Sequence, residues 1–134
     1  TRRRAYFLAS FLLDSQPRRT ALEHQSAMVL DRATALERLG FEEDIFDELV
    51  QSLVERSRSM VDEIAEALDQ GDVGRVETLS HSIKGAAATL EANALALAAR
   101  RLETIARCGD LTGGRDAWSG LSAALEDLAA ATIV

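Results

Sequence analysis

The chain has 134 residues, of which 47% are hydrophobic and 4% aromatic, and its formal net charge is -7. This length predicts one domain, and an acidic chain without aromatic residues among its basic ones argues against nucleic-acid binding. The single cysteine, Cys108, excludes an intrachain disulfide and a thiolate metal site, which favours a reducing, cytoplasmic setting.

The first 24 residues are predicted to form a basic and apolar helical extension in front of a bundle over residues 25–134. An apolar run at residues 5–13 lies between arginines at 2–4 and at 18–19. The run is far shorter than the roughly 20 residues that cross a bilayer, and it lacks a signal-peptide cleavage site. We expect this extension to dock on the bundle or to mediate a dimer, with a membrane-surface anchor as the alternative.

The next residues predict two helices. Asp31 caps a short helix that Gly40 ends. A long helix over residues 42–70 follows, and its apolar residues recur at three-, four- and seven-residue spacings: Ile45, Leu49, Leu53, Met60, Ile64 and Leu68. Gly71 ends this second helix.

Three further helices complete the pattern. Asp72 caps a helix that is expected to run to about Ala92. The following two cover residues 93–107 and 116–132, with these inner residues: Leu95, Ala98, Leu102 and Ile105, then Trp118, Leu121, Leu125 and Leu128. Since the connections are short, neighbouring helices should be antiparallel. The predicted fold is all-α, an up-down antiparallel four-helix bundle with additional N-terminal helical segments.

The most informative run is His-Ser-Ile-Lys-Gly-Ala-Ala-Ala-Thr-Leu, residues 81–90. In a helix, Lys84 and Gly85 lie one turn from His81 on the same face, whereas these residues fall opposite: Val76, Leu79, Ile83, Ala86, Ala87 and Leu90. His81 should therefore face water. An exposed imidazole is partly free base near neutral pH and is then a nucleophile.

Lys84 and Gly85 suit a phosphoryl group and an approaching partner. Lys84 is the chain's one lysine, and its mobile ammonium can follow a phosphoryl oxygen without bidentate geometry. A glycine inside a helix costs about 1 kcal/mol relative to alanine. Close approach of a partner to His81 is the simplest reason for Gly85.

This run resembles the phosphoacceptor motif of histidine-containing phosphotransfer (HPt) domains, usually His-x-Leu-Lys-Gly-Ser/Ala-x-x-x-Leu-Gly. The resemblance extends over about residues 28–128, with Leu102 and Glu103 at the place of the family's Leu-Glu helix. Ile83, Thr89 and Glu91 stand where Leu, Asn and Gly are common.

The resemblance implies a phosphocarrier in a multistep phosphorelay, and not an enzyme. His81 would accept a phosphoryl group from a receiver-domain aspartate and pass it to another receiver's aspartate. Lys84 would compensate phosphoryl charge, and Gly85 would leave room for the receiver. No cofactor is expected on this chain, because Mg²⁺ belongs to the receiver. A hybrid histidine kinase is the other partner that the resemblance implies.

The charge distribution is uneven. Residues 37–72 carry 12 acidic and 3 basic groups, whereas residues 73–109 carry 3 acidic and 5 basic groups. The histidine-bearing hairpin should therefore prefer an acidic partner, and its candidate partner-binding residues are Thr78, Ala88, Arg100 and Arg101.

Other interpretations of the pattern stay open at this point. A metal role for His81 is disfavoured because the other histidine, His24, lies far away in sequence. His81 could belong to a helical adaptor or dimerisation bundle that is never phosphorylated. The chain could also be the phosphoacceptor fragment of a histidine kinase.

Overall fold

The computed structural model describes residues 27–132. The predicted extension over residues 1–24, with its expected docking or dimer contacts, lies outside the described residues. The described part contains five helices and no strand, which confirms the predicted all-α fold: α1 (Arg32–Leu39), α2 (Glu43–Gln70), α3 (Val73–Thr89), α4 (Asn93–Arg107) and α5 (Gly114–Thr132). None of these helices is long and apolar enough to cross a membrane.

Helices α2 to α5 form the four-helix bundle. Each packs against its neighbours in the order α2, α3, α4, α5, and α5 closes the ring against α2. The core between them is built mainly from Leu, Ala and Val, with Phe46 and Ile64 among its largest side chains. This composition allows close packing without many aromatic rings.

Local capping signals set most helix ends. The Asp31 side chain accepts a hydrogen bond from the Thr34 N–H at 3.2 Å, and Gly40 ends α1 with a φ of 73°. The Asp72 carboxylate caps α3 in the same way by accepting from the Arg75 N–H at 3.1 Å. These ends agree with the sequence prediction.

The buried face of α2 differs from the predicted one in the first turns of the helix. Leu53 and Ile64 are buried as predicted, whereas Ile45 and Leu49 are exposed. The helix buries these residues: Phe46, Val50, Leu53, Val54, Ser57, Val61, Ile64 and Ala67. The first turns of α2 offer two apolar ridges, and the ridge that begins at Phe46 continues into more core residues. Arg32 packs over the Phe46 ring, with its guanidinium carbon 5.3 Å from the ring centroid.

Helix α3 ends at Thr89, three residues before the predicted end near Ala92. The Ala92 N–H donates to the Ala87 carbonyl and the Glu91 N–H to the Ala88 carbonyl, at 2.9 and 3.2 Å. These two bonds form a Schellman motif. Glu91 occupies the left-handed position of this motif, with a φ of 60°. The family that the run resembles commonly has glycine at this position.

Helix α1 is held against this turn. The Arg38 guanidinium donates to the Thr89 carbonyl and, at 3.3 Å, to the Glu91 carboxylate. The Asp31 N–H donates to the Glu91 carbonyl at 2.9 Å. Helix α1 therefore covers the end of the bundle at which α3 leads into α4.

Three smaller expectations were wrong. Ala86 of α3 is exposed, whereas Ser80 is buried. Helix α5 begins at Gly114 and not at Asp116. Trp118 is only partly buried, and its indole N–H donates to the Val61 carbonyl of α2 at 2.8 Å.

Candidate functional site

His81 lies in the middle of α3, and its side chain is 62% exposed. The opposite face of α3 is buried in the bundle through Val76, Ser80, Ile83 and Ala87. The apolar face of the helix therefore turns the imidazole to solvent.

A buried carboxylate lies directly behind the imidazole. Glu103 of α4 has a side chain that is only 3% exposed, and its Oε2 lies 2.6 Å from Nδ1 of His81. Its Oε1 accepts a hydrogen bond from Nζ of Lys84 at 2.7 Å, and Oε2 also accepts from Nη2 of Arg107 at 3.3 Å. Glu103 thus joins His81 to two cations.

The charge of Glu103 fixes the role of each imidazole nitrogen. The hydrogen bond from Lys84 lowers the pKa of Glu103 below its usual value, against the effect of burial, and the bond to His81 lowers it further. An ionised carboxylate only accepts hydrogen bonds, so Nδ1 of His81 must carry the proton. In the neutral ring, Nε2 then keeps the free lone pair.

The sequence analysis noted Glu103 only as part of the family resemblance and predicted no role for it. It lies between inner residues of α4, since Ala99, Leu102 and Ala106 are buried on the same face. A charged residue at an inward position must be paired, because an isolated buried charge is unstable. That pattern could have identified Glu103 as a residue that needs a partner from a neighbouring helix.

Lys84 and Gly85 border a groove between α3 and α4. The groove has a volume of about 510 Å³ and is lined by Lys84, Gly85, Ala88, Ala96, Leu97, Arg100, Glu103, Thr104 and Arg107. Its lining includes the small or apolar residues Gly85, Ala88, Ala96 and Leu97, and its one acidic lining residue is buried Glu103. The groove is therefore a basic surface beside His81.

Nothing within the described residues requires glycine at position 85. A Cβ built on Gly85 would meet no heavy atom within 4 Å, and its φ is not among the positive values. Neither packing nor backbone conformation explains this glycine.

The Hpt domain family model matches residues 48–131, which contain the whole His81–Glu103–Lys84 constellation. The chain belongs to the Hpt domain family. It is therefore a histidine phosphotransfer carrier of phosphorelays, and Hpt domains of this kind exchange phosphoryl groups with receiver domains and histidine kinases.

A solved structure supports the fold assignment of this Hpt domain. Histidine-containing phosphotransfer protein B from Pseudomonas aeruginosa PAO1 superposes with a TM-score of 0.72, at 24% identity, over 80% of this chain and 93% of that chain. This likeness concerns the fold alone. No curated protein matches the sequence.

The four predicted partner-binding residues of this Hpt domain occupy different places. Ala88 and Arg100 line the groove beside Lys84. Thr78 is exposed on α3, one turn before His81. Arg101 points toward α5, because its Nη2 donates to the Asp116 carboxylate at 3.1 Å.

Metal ligands are not clustered in the part of the chain that the structure covers. Residues 27–132 contain no group of three or more His, Cys, Asp or Glu side chains that could hold a metal ion. The carboxylate nearest to His81 is occupied by hydrogen bonds from His81, Lys84 and Arg107.

Proposed function

We propose that His81 is the phosphoacceptor of this Hpt domain and that Nε2 is the attacking atom. The observation that carries the proposal is the 2.6 Å contact between Nδ1 of His81 and buried Glu103, on an imidazole that is 62% exposed. This contact holds Nδ1 in a hydrogen bond and leaves Nε2 free to attack the phosphoryl group.

The transfer is an in-line displacement at phosphorus. The Nε2 lone pair forms the N–P bond while the O–P bond to the donor aspartate breaks, and the aspartate leaves as a carboxylate. The imidazole keeps its proton on Nδ1 and becomes positively charged as the N–P bond forms. Glu103 stabilises that developing charge through a short hydrogen bond. Donation to a second receiver is the reverse reaction.

Lys84 supplies charge for the phosphoryl oxygens. Its Nζ is held 2.7 Å from Glu103, and its side chain is 29% exposed, so the ammonium can turn outward without leaving the site. A lysine presents a compact, mobile charge. Lys84 is therefore suited to follow the phosphoryl group between donor and imidazole.

Gly85 and the groove provide the surface on which the receiver docks. A side chain at position 85 would project into open space one turn from His81, where the receiver must approach. Ala88 and Arg100 extend this surface, and Thr78 borders His81 on the other side. The receiver brings Mg²⁺ with its acidic phosphorylation pocket, and this chain contributes only the acceptor and its charges.

The partners follow from the assignment of the acceptor histidine to this chain and of the acidic phosphorylation pocket to the receiver. We assign two receiver domains, one as donor and one as recipient, and a hybrid histidine kinase as the source of the phosphoryl group. The kinase and nucleotide chemistry belongs to that partner. The adaptor interpretation and the kinase-fragment interpretation have no specific observation in their favour.

The direct test is labelling by a phosphorylated receiver. Incubation should place an acid-labile, base-stable phosphate on the chain, and His81→Gln should abolish it while helicity is retained. His24→Gln is the matched control and should label like the wild type. Undiminished labelling of His81→Gln would refute the assignment, and absence of labelling in the wild type would favour the adaptor.

A further inference from the structure

Arg107 connects two carboxylates beside the acceptor histidine. It lies at the end of α4, its side chain is 62% exposed, and its Nε donates to Oε2 of Glu77 at 3.2 Å. Its Nη2 donates to Oε2 of Glu103 at 3.3 Å. The same Glu103 oxygen contacts Nδ1 of His81.

The two cations of the site bracket His81. Lys84 lies one turn after His81 on α3, and Glu77, which holds Arg107, lies one turn before it. Both cations are bonded to Glu103. A phosphoryl group on Nε2 would therefore have one cation on each side, both anchored to the carboxylate behind the ring.

We propose that Arg107 is a second phosphoryl-binding residue, which Glu77 holds while His81 is unmodified and releases once His81 carries a phosphoryl group. The inference rests on the proposed function of His81. The Glu77–Arg107 pair is exposed, and exposed pairs are weak, so the guanidinium is easily released. A phosphoryl group carries more negative charge than a carboxylate, and a guanidinium can bind two of its oxygens at once.

The exchange requires no proton transfer to or from Arg107, which stays protonated throughout. Glu77 loses its partner and is left in water. Hydrolysis of phosphohistidine passes through a loose transition state, in which negative charge moves off the phosphoryl oxygens toward the leaving nitrogen. Cations on those oxygens should therefore lengthen the lifetime of the phosphorylated form.

The test measures phosphohistidine lifetime in the full chain after labelling with phosphoramidate, a small donor that needs no receiver. Arg107→Gln should shorten the lifetime roughly two- to fivefold, the range expected for losing an exposed ion pair. Arg58→Gln is the matched control, since Arg58 of α2 forms an exposed pair with Glu126 of α5, and it should leave the lifetime unchanged.

Glu77→Gln separates this role from a structural one. If Arg107 merely ties α4 to α3, Glu77→Gln and Arg107→Gln should have the same effect. The proposal instead requires a longer lifetime in Glu77→Gln, because Arg107 is then free to bind the phosphoryl group. The longer lifetime should disappear in the double variant that combines Glu77→Gln with Arg107→Gln. If it persists there, Glu77→Gln acts only by removing repulsion between Glu77 and the phosphoryl group, and the proposal is overturned.

Direct contact can be observed by NMR. The Nε–H signal of Arg107 should shift when His81 is phosphorylated, whereas that of Arg58 should not. An unchanged Arg107 signal, or equal lifetimes in Arg107→Gln and the control, would overturn the inference. Failure of wild-type labelling at His81 would instead refute the proposed function, so the two failures are distinguishable.

Discussion

Glu103→Gln perturbs the site with almost no change in side-chain volume. The carboxylate is 3% exposed and accepts hydrogen bonds from His81, Lys84 and Arg107. A glutamine amide has one acceptor oxygen, and its NH₂ group is a donor that would face one of these donors. At least one of the three partners therefore loses its hydrogen bond.

The expected loss of stability is moderate. A hydrogen bond to a charged group contributes about 1.5–3 kcal/mol, and removing one member of a buried ion pair costs about 3–5 kcal/mol. The donors here are partly exposed and can turn to water, and the variant no longer buries a charge. We therefore expect Glu103→Gln to lower the free energy of unfolding by about 1–2 kcal/mol.

The effect on transfer should be separable from stability. If orientation of His81 and stabilisation of the developing imidazolium charge together contribute about 1.4 kcal/mol, the transfer rate falls about tenfold. Single-turnover transfer from a phosphorylated receiver gives this rate, urea denaturation gives the stability, and the Nδ1–H NMR signal reports the tautomer.

Glu126→Gln is the control for loss of a glutamate charge. Glu126 pairs with Arg58 at 2.9 Å in an exposed position, so the variant should change stability by less than about 0.5 kcal/mol and leave transfer unaffected. If Glu103→Gln transfers at the wild-type rate with an unchanged Nδ1–H signal, our account of how Glu103 positions His81 is wrong.

Four further outcomes are expected. Because the pKa of Glu103 is lowered in the folded state by its hydrogen bonds to Lys84 and His81, the ionised carboxylate stabilises the fold fully at pH values above the usual glutamate pKa, and this contribution is lost as pH falls through the lowered pKa; the stability difference between wild type and Glu103→Gln in urea should therefore shrink as pH falls below the usual pKa. Gly85→Ala should raise the free energy of unfolding by about 0.5–1 kcal/mol, yet slow transfer from a receiver without slowing phosphoramidate labelling; an unchanged receiver rate would remove steric access as the reason for this glycine. Lys84→Ala should shorten the phosphohistidine lifetime several-fold, and an unchanged lifetime and transfer rate would exclude Lys84 from the mechanism. Glu91→Gly should stabilise the fold by roughly 0.5–1 kcal/mol in thermal or urea unfolding, since relief of its positive φ outweighs an exposed pair with Arg38; a loss of stability would show that the pair outweighs the strain.

Local chemistry accounts for the parts of the fold that the sequence predicted well. Asp31, Gly40, Gly71 and Asp72 set helix ends through bonds or dihedral angles within a few residues. The end of α3 was missed because Glu91 occupies a position that normally needs glycine. Its backbone and side chain are held there by α1, a contact between segments that periodicity does not reveal.

The predicted buried face of α2 was wrong in the first turns of the helix for a related reason. Ile45 and Leu49 form an apolar ridge as regular as that of Phe46 and Val50, and helical period alone cannot choose between them. The choice depends on which ridge meets α3 and α5. Packing between helices decided this face, and the single-helix pattern did not contain that information.

The functional site also has one part that local spacing predicts and another part that depends on packing between helices. His81, Lys84 and Gly85 share one face of one helix, so spacing alone brings them together. Glu103 lies 22 residues from His81, and its role depends on the register between α3 and α4. Once the contact between His81 and Glu103 is known, the antiparallel arrangement of α3 and α4 predicts the next one. Glu77 lies one turn before His81 on α3, Arg107 lies one turn after Glu103 on α4, and the two are paired. The charged inner position on α4 was the signal that could have set this register from the sequence.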